Sequence, residues 1–230
     1  MNNSIKIAKY KLESSLKGIG IYYGIFSLVL ILFVITSPKS IGTEYITSGL
    51  EFSTVIFIFI MTINDFKSTF YFSQGNNVSR KSYLKGVLLY IIAITSILPI
   101  IDISLNRIYN LFTKCPMLYD MLYGLKNIAG KAVIDNGVFA LVSNYLFLLS
   151  LYIFVYLIGL LMSSISFKLK GNTKIFFSVL LIFFIILSGT MILYIHFENL
   201  YLALLTSLII DIILICGEYL LLRKAEVGYN

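Results

Sequence analysis

The chain of 230 residues has no tryptophan, one histidine, two cysteines and three prolines, and only 13% of its residues are charged. Each shortage excludes something. Two cysteines are too few for a disulfide scaffold. One histidine cannot by itself build a metal site. A soluble globular domain carries about 25% charged residues; here apolar residues reach 59% and the mean hydropathy is +0.92. Those values exclude a soluble enzyme domain, a disordered tail and a nucleic-acid module, and they make lipid the main solvent. The sequence also lacks an HExxH run, a nucleophile elbow and a CxxC pair. Gly124 to Lys131, GLKNIAGK, imitates a phosphate loop but places five residues between its glycines where four are needed. Ala132 stands where Ser or Thr would hold magnesium. No catalytic residue, cofactor site or metal site is therefore expected in this chain, and nucleic acid is not an expected partner.

What is present is a series of long apolar runs. About 20 helical residues cross a hydrocarbon core of about 30 Å. Six runs approach that length: Gly20–Thr36, Leu50–Ile63 with a helical continuation to Phe72, Leu84–Ile101, Val138–Ile165, Ile175–Ile195 and Leu200–Leu222. Asn64, Asp65 and Lys67 interrupt the second. The runs are apolar on every face, which suits helices and not the alternating strands of a barrel. The expected fold is a single all-α polytopic membrane domain over residues 1–230 with six transmembrane helices. The first span reads as a permanent anchor, because Thr36-Ser37-Pro38 lacks a small-x-small cleavage pattern.

Basic residues set the orientation. With the N-terminus inside, thirteen of the eighteen Lys and Arg residues fall on inner segments and five on outer ones: Lys39, Arg107, Lys114, Lys126 and Lys131. Both termini are then cytoplasmic, and the net charge of +7 is mainly a topology signal, helped by anionic inner-leaflet lipid. Cys115 and Cys216 fall on opposite sides of the membrane and should not pair.

Some segments read as lying on the surface. Ile5, Ala8, Leu12 and Leu16 recur at helical spacing, with Lys6, Lys9 and Lys17 elsewhere, so an amphipathic N-terminal helix is expected in the interface. It either anchors the first span or acts as an elbow toward a cytoplasmic partner. In the outer stretch 102–137, the faces Ile101, Leu105, Ile108, Phe112 and Met117, Leu118, Met121, Leu122, Leu125, Ile128 predict two short helices lying on the outer surface or capping the bundle, serving as packing or as a gate.

Asp211 falls midway along the sixth run. An isolated Asp at a helix centre is unfavourable by about 2.5–3.5 kcal/mol, so it needs a polar partner or water. Ala203, Ser207, Asp211, Leu214 and Glu218 share one face, which should turn toward the bundle or a wet cavity. Ser207, Asp211 and Glu218 are candidates for lining a translocation path; the alternative is a structural hydrogen bond to a neighbouring helix. Gly20 and Gly24, and Gly159 and Ser163, mark close helix approach, within the chain or between chains.

The inner loop between the second and third runs reads FYFSQGNNVSRKSYLKG, Phe70–Gly86. Gly75-Asn76-Asn77 signals a turn, after which Ser79 can cap a short helix carrying Arg80, Lys81 and Lys85. Aromatic anchors beside a basic turn suit docking into a groove of a cytosolic protein; a loop that only enforces topology is the other reading. An aromatic-rich helix end, Gly75, Ser79-Arg80-Lys81 and then Tyr83 resemble the first cytoplasmic loop of ABC transporter permeases of the type-2 exporter family from Gram-positive bacteria. The six-span layout and the second inner loop, Phe167–Lys174, are similar as well. The resemblance implies a half-transporter of the bacterial cytoplasmic membrane. It implies pairing with a second permease copy or paralogue and recruitment of an ABC ATPase subunit that carries ATP and magnesium. Phe72, Gly75, Ser79, Arg80, Lys81 and Tyr83 would then form the docking loop, with a coupling helix within Phe72–Lys85. The chain departs from the family in joining its last two runs by only His196–Asn199 and in placing its outer insertion after the third. The alternative function is a membrane immunity, sensor or assembly protein without ATP coupling.

Overall fold

The computed structural model describes residues 3–36, 50–113, 115–124, 134–168 and 199–223. Among them the chain is all-helical: α1 Asn3–Thr36, α2 Glu51–Gly75, α3 Arg80–Tyr109, α4 Leu118–Leu122, α5 Val138–Lys168 and α6 Leu200–Arg223. All but α4 are long and apolar enough to cross a membrane, which makes this a multi-pass membrane protein by length and composition. The expected span Ile175–Ile195 lies outside the described residues, as do His196, Glu198, the inner segment after Lys168 and the GLKNIAGK run beyond Gly124.

α5 sits at the centre. It packs on α2, α3 and α6, while α1 packs chiefly on α3. Phe147, Leu151, Tyr152, Phe154, Tyr156, Leu157 and Leu160 of α5 are all buried, and together they cover every side of the helix. A helix apolar all round belongs in the interior of a bundle. α1 and α6 are peripheral and expose broad apolar faces, Ile21, Ile25 and Leu28 on one and Leu205, Leu208 and Ile212 on the other. Gly159 lets α5 approach α2 closely: a Cβ there would lie 3.1 Å from Cβ of Thr62. Gly20 and Gly24 meet no atom within 4 Å.

The α2–α3 turn, the start of α1 and the ends of α5 and α6 share one end of the bundle, the basic end. Ser164 on α5 contacts Glu218 on α6 there, and Arg80 at the start of α3 contacts Arg223 at the end of α6. Glu51, Asp102, Arg107 and Asp120 gather toward the far end.

Two surface-lying segments are corrected. The amphipathic N-terminal helix is no separate element in the headgroup plane; it is the first part of the 34-residue α1, about 50 Å long at 1.5 Å per residue. Its buried line is Ser4, Ile7, Lys11, Ser15 and Ile19, one step round from the expected face, and Ile5 and Leu16 are exposed. Gly86 of α3 explains this. A Cβ there would fall 2.7 Å from the Ser4 carbonyl oxygen and 2.8 Å from Cβ of Ile7, so the missing side chain is what lets α1 lie against α3. The first outer helix is likewise an extension of α3, which continues past Pro99 to Tyr109. Its inward face is polar, Asp102 and Asn106 with Tyr109, and the expected packing residues Ile108 and Phe112 are exposed. Of the second outer helix, the described residues form only the five-residue α4, with Met117 buried before it.

Candidate functional site

The hairpin at the basic end is built by short-range bonds. α2 ends at Gly75, the Asn77 and Val78 amides donate to the Gln74 and Ser73 carbonyls, and Asn77 carries φ 53°. Asn tolerates that left-handed conformation better than most residues. Ser79 caps α3 by accepting from the Ser82 amide at 3.2 Å. The cap is the expected one, but the short helix is not: Arg80, Lys81 and Lys85 open the 30-residue α3 itself.

The docking residues separate. Phe72 remains 41% exposed and its ring stacks on Tyr10 of α1 at 4.0 Å. Tyr83 is 0% exposed, edge-on to Phe70 at 5.4 Å, and cannot be a surface anchor. It lies on the α3 face turned inward, three residues before Gly86. Arg80 donates from Nη1 to the Arg223 carbonyl at 2.6 Å, tying α3 to α6, while Gly75 and Lys81 are exposed. Tyr10 was not among the sequence candidates; only its helical distance from the buried Ile7 line could have pointed to it.

The α6 stripe is where the sequence puts it. Ala203, Ser207, Asp211, Glu218 and Leu222 are its buried residues. Among the described residues they make separate contacts. Ser207 donates to the Leu204 carbonyl of its own helix at 2.8 Å. Glu218 accepts from the Ser164 hydroxyl at 2.5 Å. Asp211 is 9% exposed, and its Oδ1 has no hydrogen-bond partner among the described residues.

Two buried polar centres were not anticipated. In the first, Asp102 of α3 accepts from Tyr23 of α1 at 3.0 Å, from Thr54 of α2 at 3.1 Å and from Tyr152 of α5 at 2.5 Å. Four helices converge on one carboxylate. The residue had been read as the first of an outer stretch, so its depth was missed. The second centre is Lys11 of α1, which faces Asp65 of α2 at 4.0 Å and lies over the rings of Tyr90 and Tyr156 at 5.2 and 5.8 Å. Lys11 is 0% exposed; the charge count had it only as one of the thirteen basic residues on inner segments. Asp65, which looked like an interruption in the second span, is its counter-charge.

At the far end Arg107 pairs with Asp120 at 3.4 Å and donates to the Asp135 carbonyl at 3.2 Å. Asp120 also accepts from the Met117 amide at 3.0 Å, and Glu51 from the Leu118 amide at 3.0 Å. Burial pushes the Asp120 carboxyl above its ordinary range, against the opposing pull of Arg107. These contacts staple α4 to α2 and α3.

Chemically, the Asp102 centre is a carboxylate with three hydroxyl donors that holds four helices together. The Lys11–Asp65 pair is a compensated charge in a dry, aromatic setting. Asp211 keeps an unused acceptor on the face turned to the bundle. Comparison with known proteins finds no matching family model, no matching curated protein and no matching solved structure.

Proposed function

We propose that the chain is the membrane-spanning permease subunit of an ATP-driven ABC exporter in a bacterial cytoplasmic membrane. It forms half of a translocation path with a second copy or paralogue and docks a separate ATPase subunit at the α2–α3 hairpin. The observation that carries the reading is the exposed Phe72 ring, stacked on half-buried Tyr10 beside the tight turn at Asn77, an apolar anchor at the basic end of the bundle. The six-span layout is supported by the parallel run of α5 and α6: the chain leaves α5 at the basic end and enters α6 at the far end. A cytoplasmic basic end is supported by the positive-inside distribution of Lys and Arg. ATP and magnesium would sit on the ATPase, whose closure would push on the hairpin and through it on α2 and α3. Asp211 and Ser207 would face the path.

Binding energy at interfaces concentrates in a few buried aromatic or Arg anchors, while rim charges mainly steer association. Phe72→Ala should therefore abolish retention of an ATPase on the tagged chain without altering membrane insertion. Lys81→Gln should weaken retention less, with an effect that shrinks at high salt. If no ATPase follows the wild-type chain through purification, the alternative of an immunity, sensor or assembly protein takes its place.

A further inference from the structure

On the α6 side of the same hairpin, away from Phe72 and Tyr10, lies an open groove of about 480 Å³ lined by Ser79, Arg80, Lys81, Tyr219, Leu222 and Arg223. Three of those six residues are cations. The ion pairs among the described residues are Lys9–Glu13, Lys11–Asp65 and Arg107–Asp120, so no described carboxylate neutralises Arg80, Lys81 or Arg223. The nearest acid on α6, Glu218, is buried and bonded to Ser164. Arg80 is held in place by its bond to the Arg223 carbonyl, which uses one donor of a five-donor fork. The groove opens where α3 begins and α6 ends, the level at which headgroups meet a bundle whose α6 face is otherwise apolar. Tyr219 and buried Leu222 supply an apolar wall below the charges.

We infer that this groove is a binding site for the phosphate headgroup of an anionic phospholipid, held by Arg80, Lys81 and Arg223 with its glycerol backbone against Tyr219 and Leu222. Arg suits phosphate through paired donors and Lys as a point charge. Three cations with no carboxylate partner among the described residues line one groove between helices, the kind of basic pocket that takes anionic headgroups. The groove shares Ser79, Arg80 and Lys81 with the proposed docking hairpin, but lipid binding there needs no ATPase and is measured without one.

The absence of tryptophan makes the test direct. A Tyr219→Trp variant places the sole indole in the groove. A Leu220→Trp variant places it one residue on, on the exposed face of α6, as a reporter of ordinary lipid contact. Both are reconstituted in phosphatidylcholine nanodiscs containing a minority of lipid brominated near the glycerol end, either phosphatidylglycerol or phosphatidylcholine. Brominated phosphatidylglycerol should quench Tyr219→Trp with an apparent association at least about fivefold above brominated phosphatidylcholine, roughly the worth of one cationic contact. Leu220→Trp should show no preference. Adding Arg80→Gln and Lys81→Gln should erase the preference at the groove. Because Tyr219→Trp alters the wall, native mass spectrometry of the unmodified chain is the second measurement, with phosphatidylglycerol adducts expected on it and lost from the Arg80→Gln, Lys81→Gln variant. Equal quenching by the two lipids together with no preferential adduct overturns the site, as does a preference that survives neutralisation. If inorganic phosphate adducts form on the unmodified chain in native mass spectrometry and phosphatidylglycerol adducts do not, the groove takes free phosphate and the lipid assignment fails. None of these results depends on ATPase retention, so failure here and failure of the docking reading are told apart.

Discussion

Lys11 and Asp65 form an unequal pair: the lysine side chain is 1% exposed and the aspartate 29%. Removing one partner of a buried ion pair costs about 3–5 kcal/mol, because the other charge is stranded, whereas replacing both is often neutral. The stranded group matters here. Asp65→Asn leaves an uncompensated ammonium among Tyr90 and Tyr156 and should cost about 3 kcal/mol in a detergent unfolding titration. Lys11→Met leaves a carboxylate that still reaches polar surroundings and should cost less. The double variant should recover most of the loss, and additive losses would show that the two charges are not coupled. Asp211 poses a different question, since its Oδ1 has no partner among the described residues. Asp211→Asn keeps the volume and removes the charge. Transport by reconstituted chain and ATPase should fall more than folded yield does; equal falls would make Asp211 a structural acceptor, and unchanged transport would take it out of the path.

At the scale of elements, the seating of α1 on α3 depends on one missing side chain. Gly86→Ala gains about 1 kcal/mol of helix propensity but drives a Cβ into the Ser4 carbonyl and Ile7, and overpacking of that kind costs about 1–3 kcal/mol. The backbone atom cannot swing away as a long side chain could, so the steric loss should win and the start of α1 should lift. Hydrogen exchange over residues 3–17 should accelerate in Gly86→Ala. Gly24→Ala, where nothing lies within 4 Å, should leave it unchanged or slower. α3 shows the converse, a defect tolerated: Pro99 sits in mid-helix and leaves the Thr95 carbonyl without its helical donor. Close by, the Tyr145 hydroxyl of α5 reaches the neighbouring Ser96 carbonyl at 3.4 Å, one residue past the freed group.

The whole molecule should enter the membrane with its basic end inside. In a Cys216→Ala background, Asn136→Cys should react with an impermeant thiol reagent in intact cells, and Asn77→Cys only after permeabilisation; the opposite result would invert the topology. Both positions are exposed. Cys115, which lies on the same end as Asn136, is fully buried beside Leu30 and Tyr109 and is not suited to the experiment.

The amino-acid sequence alone determined the solvent of this protein and its helices. Long apolar runs permit only structures that close their own backbone hydrogen bonds in lipid. The turn at Asn77, the Ser79 cap and the inward α6 stripe were legible because each is a local event within a few residues. Tertiary structure decided what local pattern cannot encode. α5 has no polar side to betray its neighbours, so its central place follows only from what packs around it. Asp102 and Lys11 looked like a loop residue and an ordinary inner-segment cation, because the partners that make them tolerable, Tyr23, Thr54 and Tyr152 for one and Asp65 for the other, are at least 48 residues away in sequence. Tyr83 looked like an anchor for a partner protein and is an anchor for the chain itself. In lipid, apolar surface carries little information about which face is buried, and the few charged and hydroxyl side chains that must find one another fix how the helices meet.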